Sequence, residues 1–426
     1  MSKIRLIHVA DLHIGFTGPS NLILTENEDP AQPGRYVREV DIENAVSRIT
    51  DAIIAAQPPV DIVLIAGDLF HKPAPSPRAI TCATRMVHRL TRKGIAVVII
   101  DGNHETSNVL HTGSPTTFLR ALGAQVVNNI DARIIRDSDW QQEMIEPARR
   151  ERLRQLAVHA LPYRALENPA NLVHITPLEG YINVLLTHGR LASIREELNS
   201  LHKKSHIIPN VLVAGHQQWD YIALGDWHIH RFQPSESLPA YYAGSLEALN
   251  FGEAVNYPPG SREPYEVHGA IDVYLTFKKP PEIKTLPNQQ ARPLLHFKEI
   301  DALQMDVDAV MKEIRARFQE SVPPHALVTL DILNLHPDVW AKLDHKEIAH
   351  LKRRVRLCTI IPTLQRISSS SSAEMMSEST LDRQWERFLE THETDIARRA
   401  WCNEVGLKRI EEAQQFLFAK SAQEGE

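Results

Sequence analysis

Five apolar runs, each followed at once by a short polar segment, constrain the fold of this chain more than any other feature. The runs are rich in β-branched side chains and cover residues 4–10, 62–66, 96–100, 182–186 and 221–224. Runs that are apolar on both faces are typical of strands buried inside a sheet. Polar residues that follow such strands meet at one sheet edge, where loops bring distant parts of the chain together. The sequence therefore predicts an α/β fold with one polar site at a sheet edge.

The polar segments carry the donor groups of a metal site. They read Asp11-Leu12-His13, Gly67-Asp68-Leu69-Phe70-His71, Gly102-Asn103-His104-Glu105, Thr187-His188-Gly189 and Gly225-Asp226-Trp227-His228-Ile229-His230. A single Asp-x-His is weak evidence in a chain with 21 His and 53 Asp plus Glu. Segments that occur in this order, each after an apolar run, are much stronger evidence and predict one shared site.

The residue types suit two divalent cations about 3.5 to 4 Å apart, which can clamp the attacking and leaving oxygens of a phosphoester. Such a pair needs a bridging carboxylate, and Asp68 suits that position. Side chains two residues apart at a strand end point the same way, so Asp11 and His13 suit one ion. His228 and His230 repeat this spacing. Imidazole, carboxylate and amide donors without thiolate indicate manganese, iron or zinc.

These motifs resemble the calcineurin-like metallophosphoesterases, and within them the nuclease subunits of double-strand-break repair complexes, the SbcD type in bacteria. His71 stands three residues after Asp68, where phosphatases of the superfamily usually have Asp and the repair nucleases have His. Residues 241–247 and 250–253 also resemble the segment that closes the nuclease domain. The resemblance covers residues 3–275 well. It implies a four-layer α/β sandwich in which helices flank two mixed sheets packed face to face.

The resemblance also implies a role for each site residue. The ligands of one ion would be Asp11, His13, Asp68 and His230. The ligands of the other would be Asp68, Asn103, His188 and His228. His104 would stabilise the developing charge or protonate the leaving oxygen, and His71 would orient the scissile phosphate. Manganese is the expected ion, with iron and zinc as alternatives.

Two positions depart from the family pattern. The last motif is more often Gly-His-x-His, whereas Asp226 and Trp227 here stand between Gly225 and His228. Asp226 is expected either to hydrogen-bond to a metal ligand or to cap a loop. Glu105 stands where these nucleases usually have Asp, and it is expected to orient His104 through a hydrogen bond.

A chain of 426 residues exceeds what one core normally supports. We predict a metallophosphoesterase domain over 1–278 and, after the turn-forming Lys279-Pro280-Pro281, an α/β capping domain over 279–365. The second domain shows a strand, helix, strand, helix, strand pattern over residues 294–297, 307–318, 326–335, 345–355 and 357–362. The resemblance implies that it caps the active site and helps to select DNA ends.

The C-terminal part differs in composition from the rest. Residues 366–380 contain five consecutive serines and predict a flexible linker. Apolar residues at helical spacing then predict a helical tail over 381–426. The tail either folds back or docks on a partner, and the tether favours docking. In the resembling family such a tail binds the coiled coil of an SMC-like ATPase, and a homodimer is a further assembly that the resemblance allows.

Composition narrows the function further. The net charge of −6 argues against a protein that coats DNA unaided, so DNA contacts would need local basic patches such as 149–154. Only 3 Cys occur, which is too few for a disulfide framework. A charged leader and an apolar run of about 20 residues are both missing, and we therefore expect a cytoplasmic protein without a membrane span.

The sequence thus predicts a metal-dependent DNA exonuclease and endonuclease, the nuclease subunit of a complex with an SMC-like ATPase in DNA repair or DNA end processing. Two alternatives stay open. The same metal site would serve a phosphodiesterase or phosphatase that acts on a small molecule or a protein. A scaffold that recruits an ATPase, with a vestigial metal site, is the third hypothesis.

Overall fold

A computed structural model describes most of the chain. The described residues are 3–19, 22–26, 29, 31–106, 113–128, 130–168, 172, 174–191, 206–213, 219–230, 233, 238–253, 268–319, 322–365, 385, 389, 402–403 and 405–407. Met1–Thr363 form one compact unit and Leu364–Glu426 a second. None of the helices in these ranges is long and apolar enough to cross a membrane.

The first unit contains both strands and helices. In chain order they are β1 (Ile4–Val9), α1 (Val37–Ala55), β2 (Ile62–Ala66), α2 (Pro77–Arg92), β3 (Ala96–Ile100), β4 (Gln125–Val127), β5 (Arg133–Ile135), α3 (Pro147–Leu153), β6 (Leu156–Leu161), β7 (Ile182–His188), β8 (Arg190–Leu191), β9 (Ile207–Ile208), α4 (Asn210–Val213), β10 (Tyr221–Gly225), β11 (Ala240–Tyr242), β12 (Gly269–Leu275), β13 (Glu282–Pro287), β14 (Leu294–Asp301), α5 (Val307–Gln319), β15 (Leu327–Leu335), α6 (Pro337–Lys342), α7 (His345–Lys352) and β16 (Leu357–Leu364).

The first sheet has six strands in the order β13-β12-β1-β2-β3-β4. Strands β1 to β4 are parallel neighbours, and β12 runs antiparallel to both β1 and β13. The apolar runs predicted as strands occupy its centre because both faces of β1, β2 and β3 are buried. One face packs on α1 and α2, and the other faces the second sheet.

The second sheet has five strands in the order β11-β10-β7-β6-β5, with only β5 antiparallel to its neighbour. Leu64 and Val98 of the first sheet share an apolar core with Val184 and Ala223 of the second. Short helical segments and loops, including α4, cover the outer face of the second sheet. The structure confirms the predicted α/β sandwich of two mixed sheets, although within the described ranges long helices flank only the first of them.

Helix α2 shows how the sequence fixes the outer layer. The Ser76 side chain accepts a hydrogen bond from the Ala79 backbone N–H, and Pro77 begins the helix. Buried residues recur at helical spacing along one face, and they include Ala79, Ala83, Val87 and Leu90. That apolar stripe binds the helix to the first sheet, while its arginines point away from the core.

A third sheet, in the order β14-β15-β16, follows the sandwich. Its core joins α5 and α7 to β15 through residues such as Ile314, Ile348 and Leu330. The predicted element order of this segment is found, with α6 as an additional short helix. Strand β13 lies beyond the predicted boundary at residue 278 but pairs with β12, so the first sheet extends to Pro287.

Side-chain contacts join the third sheet to the sandwich. Arg292 donates two hydrogen bonds to the Asp41 carboxylate on α1, at 2.6 and 2.8 Å. Arg356 donates to the Ile23 carbonyl, and Leu22 packs with Leu294 in one apolar cluster. Part of the segment between β1 and α1 therefore lies against the third sheet.

The predicted linker, residues 366–380, lies outside the described residues, as does most of the predicted tail over 381–426. The described residues of the tail are helical, and Gly406 lies so close to Trp385 that an added Cβ atom would clash with its indole ring.

Candidate metal centre

The predicted site residues follow the C-terminal ends of neighbouring strands in the two sheets. Asp11 and His13 follow β1, and their backbone N–H groups donate to the carbonyls of Gly67 and Asp68 after β2, at 3.2 and 2.9 Å. His188 ends β7, beside the end of β10. The loops after β1 and β2 thus run together at one edge of the sandwich, as the sequence predicts.

Four residues of this edge have left-handed backbone conformations. The φ angles are 52° at Asp11, 44° at His13, 52° at Asp68 and 98° at Asp226. Residues with a Cβ atom adopt such angles only at a cost of about 1 kcal/mol or more each. Asp11 and His13 therefore converge through a coiled loop beyond β1, which ends at Val9, and not through the strand alternation that their spacing suggested.

The first donor cluster comprises Asp11, His13 and His228, whose ligand atoms lie within 4.8 Å of one another. His13 Nε2 lies 3.2 Å from His228 Nε2 and 3.5 Å from Asp68 Oδ2. His228 donates its Nδ1 proton to Glu253 Oε1 at 2.8 Å. The lone pair of His228 Nε2 is then directed at His13, an arrangement that a cation between the two rings would stabilise.

The second donor cluster is centred on His188. Its Nδ1–H donates to the Ala66 carbonyl at 2.8 Å, which leaves Nε2 as a lone-pair donor. Three side-chain oxygens surround that nitrogen: Asn103 Oδ1 at 2.9 Å, Asp68 Oδ1 at 3.6 Å and Asp226 Oδ1 at 3.9 Å. Asp68 therefore lies between the two clusters, as expected for a bridging carboxylate.

Two glycines make this close approach of loops feasible. A Cβ atom at Gly102 would lie 2.1 Å from Asp68 Oδ1, and one at Gly67 would lie 2.3 Å from His188 Nδ1. Any larger residue at either position would displace a donor atom of the cluster. The glycines in these two motifs are thus part of the geometry of the site.

The pKa values of the cluster residues reflect the negative charge that lies close together at this site. Burial raises the pKa of Asp11 to about 6. Burial would lower the pKa of His188, but the carboxylates of Asp68, Asp11 and Asp226 outweigh it and raise that pKa. Burial likewise opposes the charged form of His228, yet Glu253 and the neighbouring acids raise its pKa to about 10. In the metal-free protein, a proton on His228 offsets part of the carboxylate charge, and a bound cation would displace it.

The donor set fits divalent cations. Ligand atoms about 2.1 Å from one cation are about 3.0 to 3.4 Å apart, so donor separations of 3.2 and 3.5 Å around His13 need little adjustment. All donors are imidazole, carboxylate or amide groups, which suit manganese, iron or zinc. The described residues around this edge thus contain what a two-metal site requires.

His71 and His104, the predicted catalytic residues, lie beside His13 in a third cluster. His104 donates its Nδ1 proton to the His71 carbonyl at 2.8 Å, and its Nε2 lies 3.9 Å from Asp68 Oδ2. Its side chain is 34% exposed, so this imidazole borders solvent. His71 Nδ1 lies 3.3 Å from His13 Nδ1, and Phe16 packs edge-on against the His71 ring.

His230, predicted as a ligand of the first ion, lies elsewhere. Its Nδ1–H donates to the Ala243 carbonyl at 2.7 Å, and its Nε2 lies 3.3 Å from Thr285 Oγ1 on β13. The reason is local geometry: β10 ends at Gly225, so His228 and His230 lie in the irregular loop beyond the strand, where a spacing of two does not align side chains. His228, expected at the second ion, instead faces His13 and Asp11 of the first.

Two glutamates hold the site together in ways that the sequence reasoning missed. Glu253 orients His228, and only its place in the family-like segment 250–253 could have indicated this role. Glu105, expected to orient His104, accepts hydrogen bonds from the backbone N–H groups of Asp68, Gly102 and Phe70. It therefore ties the loop after β2 to the loop after β3 and fixes the backbone of Asp68.

A predicted basic patch is largely used for structure. Arg149 donates to the carbonyls of Val60 and Lys93, and Arg152 pairs with Asp61. These guanidinium groups stabilise the sandwich, so residues 149–154 offer less free positive charge than the sequence suggested.

The fold and the donor clusters define a metallophosphoesterase. The calcineurin-like phosphoesterase family matches residues 4–244, more than half of the chain, and the chain belongs to that family.

Among its relatives are proteins named "DNA double-strand break repair protein Mre11". The protein from Methanopyrus kandleri is 25% identical over 260 residues, which cover 58% of this chain and 50% of the relative. That from Sulfurisphaera tokodaii is 25% identical over 261 residues, or 60% and 57% of the two chains. That from Methanococcus maripaludis is 30% identical over 118 residues, or 28% and 27%. The matches thus span from about a quarter to just over half of these relatives.

Proposed function

We propose that this phosphoesterase is a two-metal-dependent DNA nuclease that hydrolyses phosphodiester bonds during DNA repair or DNA end processing. The observation that carries the proposal is the position of Asp68, whose carboxylate lies 3.5 Å from His13 Nε2 in the first donor cluster and 3.6 Å from His188 Nε2 in the second, with His71 and His104 beside them. The similarity to DNA repair proteins over about 60% of the chain supports DNA as the substrate.

The proposed ligands divide between two cations. Those of the first are Asp11, His13, Asp68 and His228. Those of the second include Asp68, Asn103 and His188. The buried clusters favour these sets, and His230 is left out because both of its ring nitrogens face other groups. When bound, two divalent cations would supply Lewis-acid stabilisation and an activated water at the scissile phosphate.

The two remaining histidines handle the substrate. Burial, together with the nearby His104, lowers the pKa of His71 to about 4, so its imidazole is neutral at pH 7. It would orient a phosphate oxygen through a neutral hydrogen bond and not through charge. His104 uses Nδ1 to hold its ring against the His71 carbonyl, which leaves Nε2 to exchange a proton with the leaving oxygen.

Further assignments rest on the resemblance and on sequence patterns. They are manganese as the metal, an SMC-like ATPase bound through the predicted tail over 381–426, a capping role for the 279–365 segment, a homodimer, and a cytoplasmic location. An ATPase partner would explain how a chain with a net charge of −6 engages DNA.

The test uses the full chain with end-labelled linear duplex and single-stranded DNA, with and without Mn²⁺. We expect Mn²⁺-dependent cleavage that falls at least about a hundredfold in Asp68→Ala and His104→Ala. His296→Ala is the matched control, because this histidine pairs with Asp331 on the third sheet and should leave cleavage unchanged.

Two outcomes would contradict the proposal. Cleavage that survives Asp68→Ala would come from a contaminant or another site. Hydrolysis of a chromogenic phosphodiester with no DNA cleavage, even after a candidate ATPase is added, would instead favour an enzyme for a small-molecule or protein substrate.

A further inference from the structure

The position of Asp226 in the site differs from what its sequence context suggested. Its carboxylate is buried, with 5% of the side chain exposed, and Oδ1 lies 3.9 Å from His188 Nε2. The same nitrogen faces Asn103 and Asp68. Asp226 therefore lies, with Asn103 and Asp68, around one ring nitrogen of His188.

The backbone holds Asp226 in this place. Its N–H donates to both carboxylate oxygens of Asp11, at 3.0 and 3.2 Å, and its φ angle is 98°. Residues with a Cβ atom rarely adopt this conformation, which persists only when surrounding contacts determine it. The hydrogen bonds to Asp11 connect the loop after β10 to the loop after β1.

The spacing in the last motif follows from this geometry. Asp226 and His228 are separated by one residue, yet Asp226 faces His188 while His228 faces His13. The pair therefore divides between the two clusters, one donor to each. His230 takes no part, so the working motif is Asp226-Trp227-His228 and not His228-Ile229-His230.

We propose that Asp226 is a metal ligand and completes the second cation site together with Asp68, Asn103 and His188. This inference rests on the proposed two-metal site and deepens it, because it makes the two sites chemically unequal. The first has two carboxylate and two imidazole ligands. The second has two carboxylates, one amide oxygen and a single imidazole.

Unequal donors give the sites different metal preferences. Oxygen donors suit Mn²⁺ and Mg²⁺, whereas imidazole favours Zn²⁺ and other later metals of the first row. The second site should therefore prefer Mn²⁺ more strongly than the first does. Replacing the carboxylate of Asp226 with an imidazole should shift that preference toward Zn²⁺.

The experiment titrates the metal-free full chain with Mn²⁺ and measures free Mn²⁺ by electron paramagnetic resonance. Wild type should bind two ions per chain. Asp226→Asn, which keeps the side-chain volume, and Asp226→Ala should keep one ion at wild-type affinity and bind the other at least about tenfold more weakly. Asp226→His should bind two ions. At one of its two sites, the preference for Zn²⁺ over Mn²⁺ should be at least about tenfold greater than in wild type.

His230→Gln is the matched control, and it should bind two Mn²⁺ with wild-type affinities. Thermal unfolding of each metal-free variant checks its fold, and Asp226→Asn decides the question if the alanine variant is unfolded. Two Mn²⁺ bound at wild-type affinity by Asp226→Asn, or the loss of one ion in His230→Gln, would overturn the inference. Metal counting requires no DNA, so wild type that binds two ions but cuts no DNA would reject the proposed function alone.

Discussion

His228 donates its Nδ1 proton to Glu253 Oε1 across 2.8 Å, and this bond directs Nε2 of the same ring at the first donor cluster. Glu253 also accepts a hydrogen bond from the Leu249 backbone N–H, so the acid is itself held in place. A carboxylate behind a metal-binding imidazole fixes the ring orientation and raises its basicity.

Glu253→Gln should therefore weaken binding at the first cation site. We expect a 10- to 100-fold loss of Mn²⁺ affinity, or about 1.4 to 2.8 kcal/mol, because an amide oxygen is a weaker acceptor than a carboxylate and carries no charge. Isothermal titration of the metal-free chain would measure this change. The control is Glu282→Gln, because Glu282 lies on β13 and forms an exposed ion pair with Lys3. An unchanged affinity in Glu253→Gln would contradict the role assigned to this acid.

Glu105→Gln should destabilise the fold and the site together. The carboxylate accepts three backbone N–H bonds, whereas an amide has one acceptor oxygen and would direct its own N–H groups at the remaining donors. We expect a loss of about 1 to 3 kcal/mol in the free energy of unfolding, measured by urea titration. Because Asp68 loses its backbone anchor, Mn²⁺ affinity should fall as well. A stable variant with weakened metal binding would show that Glu105 only positions the loop.

His8 should make the metal-free protein sensitive to acid. Burial lowers the pKa of His8 to about 3, and its Nδ1 lies 3.0 Å from the Tyr221 hydroxyl. The unfolded chain takes up a proton below about pH 6.5 while the folded chain does not, so this group reduces stability as pH falls from 6.5 toward 3. Over this range, His8 should contribute about 1.4 kcal/mol per pH unit to the slope of the free energy of unfolding against pH.

His8→Gln should remove this contribution. Urea unfolding in a metal chelator at several pH values between 6.5 and 4 would measure the difference between the two slopes. Equal slopes for wild type and variant would mean that His8 is protonated in the folded protein.

Arg292 and Asp41 should couple the third sheet to α1. Their bidentate pair is mostly buried, with side chains 16% and 12% exposed. A double-mutant cycle of Arg292→Ala and Asp41→Ala should give a coupling of about 1 to 3 kcal/mol in the free energy of unfolding. The exposed pair Arg315 and Glu347 offers a comparison, and its coupling should be below about 1 kcal/mol. Similar values for both pairs would contradict a special role for Arg292.

The sequence predicted strands better than it predicted side-chain directions. Strands β2 and β3 begin and end where the apolar runs do, because a strand that is buried on both faces consists of apolar residues. The third sheet also follows its predicted pattern of elements. These features depend on the local spacing of apolar residues, which can be seen in a single sequence.

The misplaced residues depend on loop conformation, which periodicity does not record. The resemblance implies His228 and His230 as ligands and leaves Asp226 between them and Gly225 as a departure, whereas in the structure Asp226 lies beside His188 and His230 contacts the Ala243 carbonyl. The sequence does not indicate strand β13 because the prolines before it are typical of a domain boundary, whereas in the structure they lie in the short connection of a hairpin between β12 and β13.

The left-handed backbone conformations lower the stability of the fold at four positions whose side chains are the proposed metal ligands, namely Asp11, His13, Asp68 and Asp226. Glycine at any of these positions would relax the backbone, yet it would remove a donor atom that glycine cannot replace. Selection for heat resistance alone would therefore replace these residues first. A hyperstable descendant of this chain would be expected to have lost its metals.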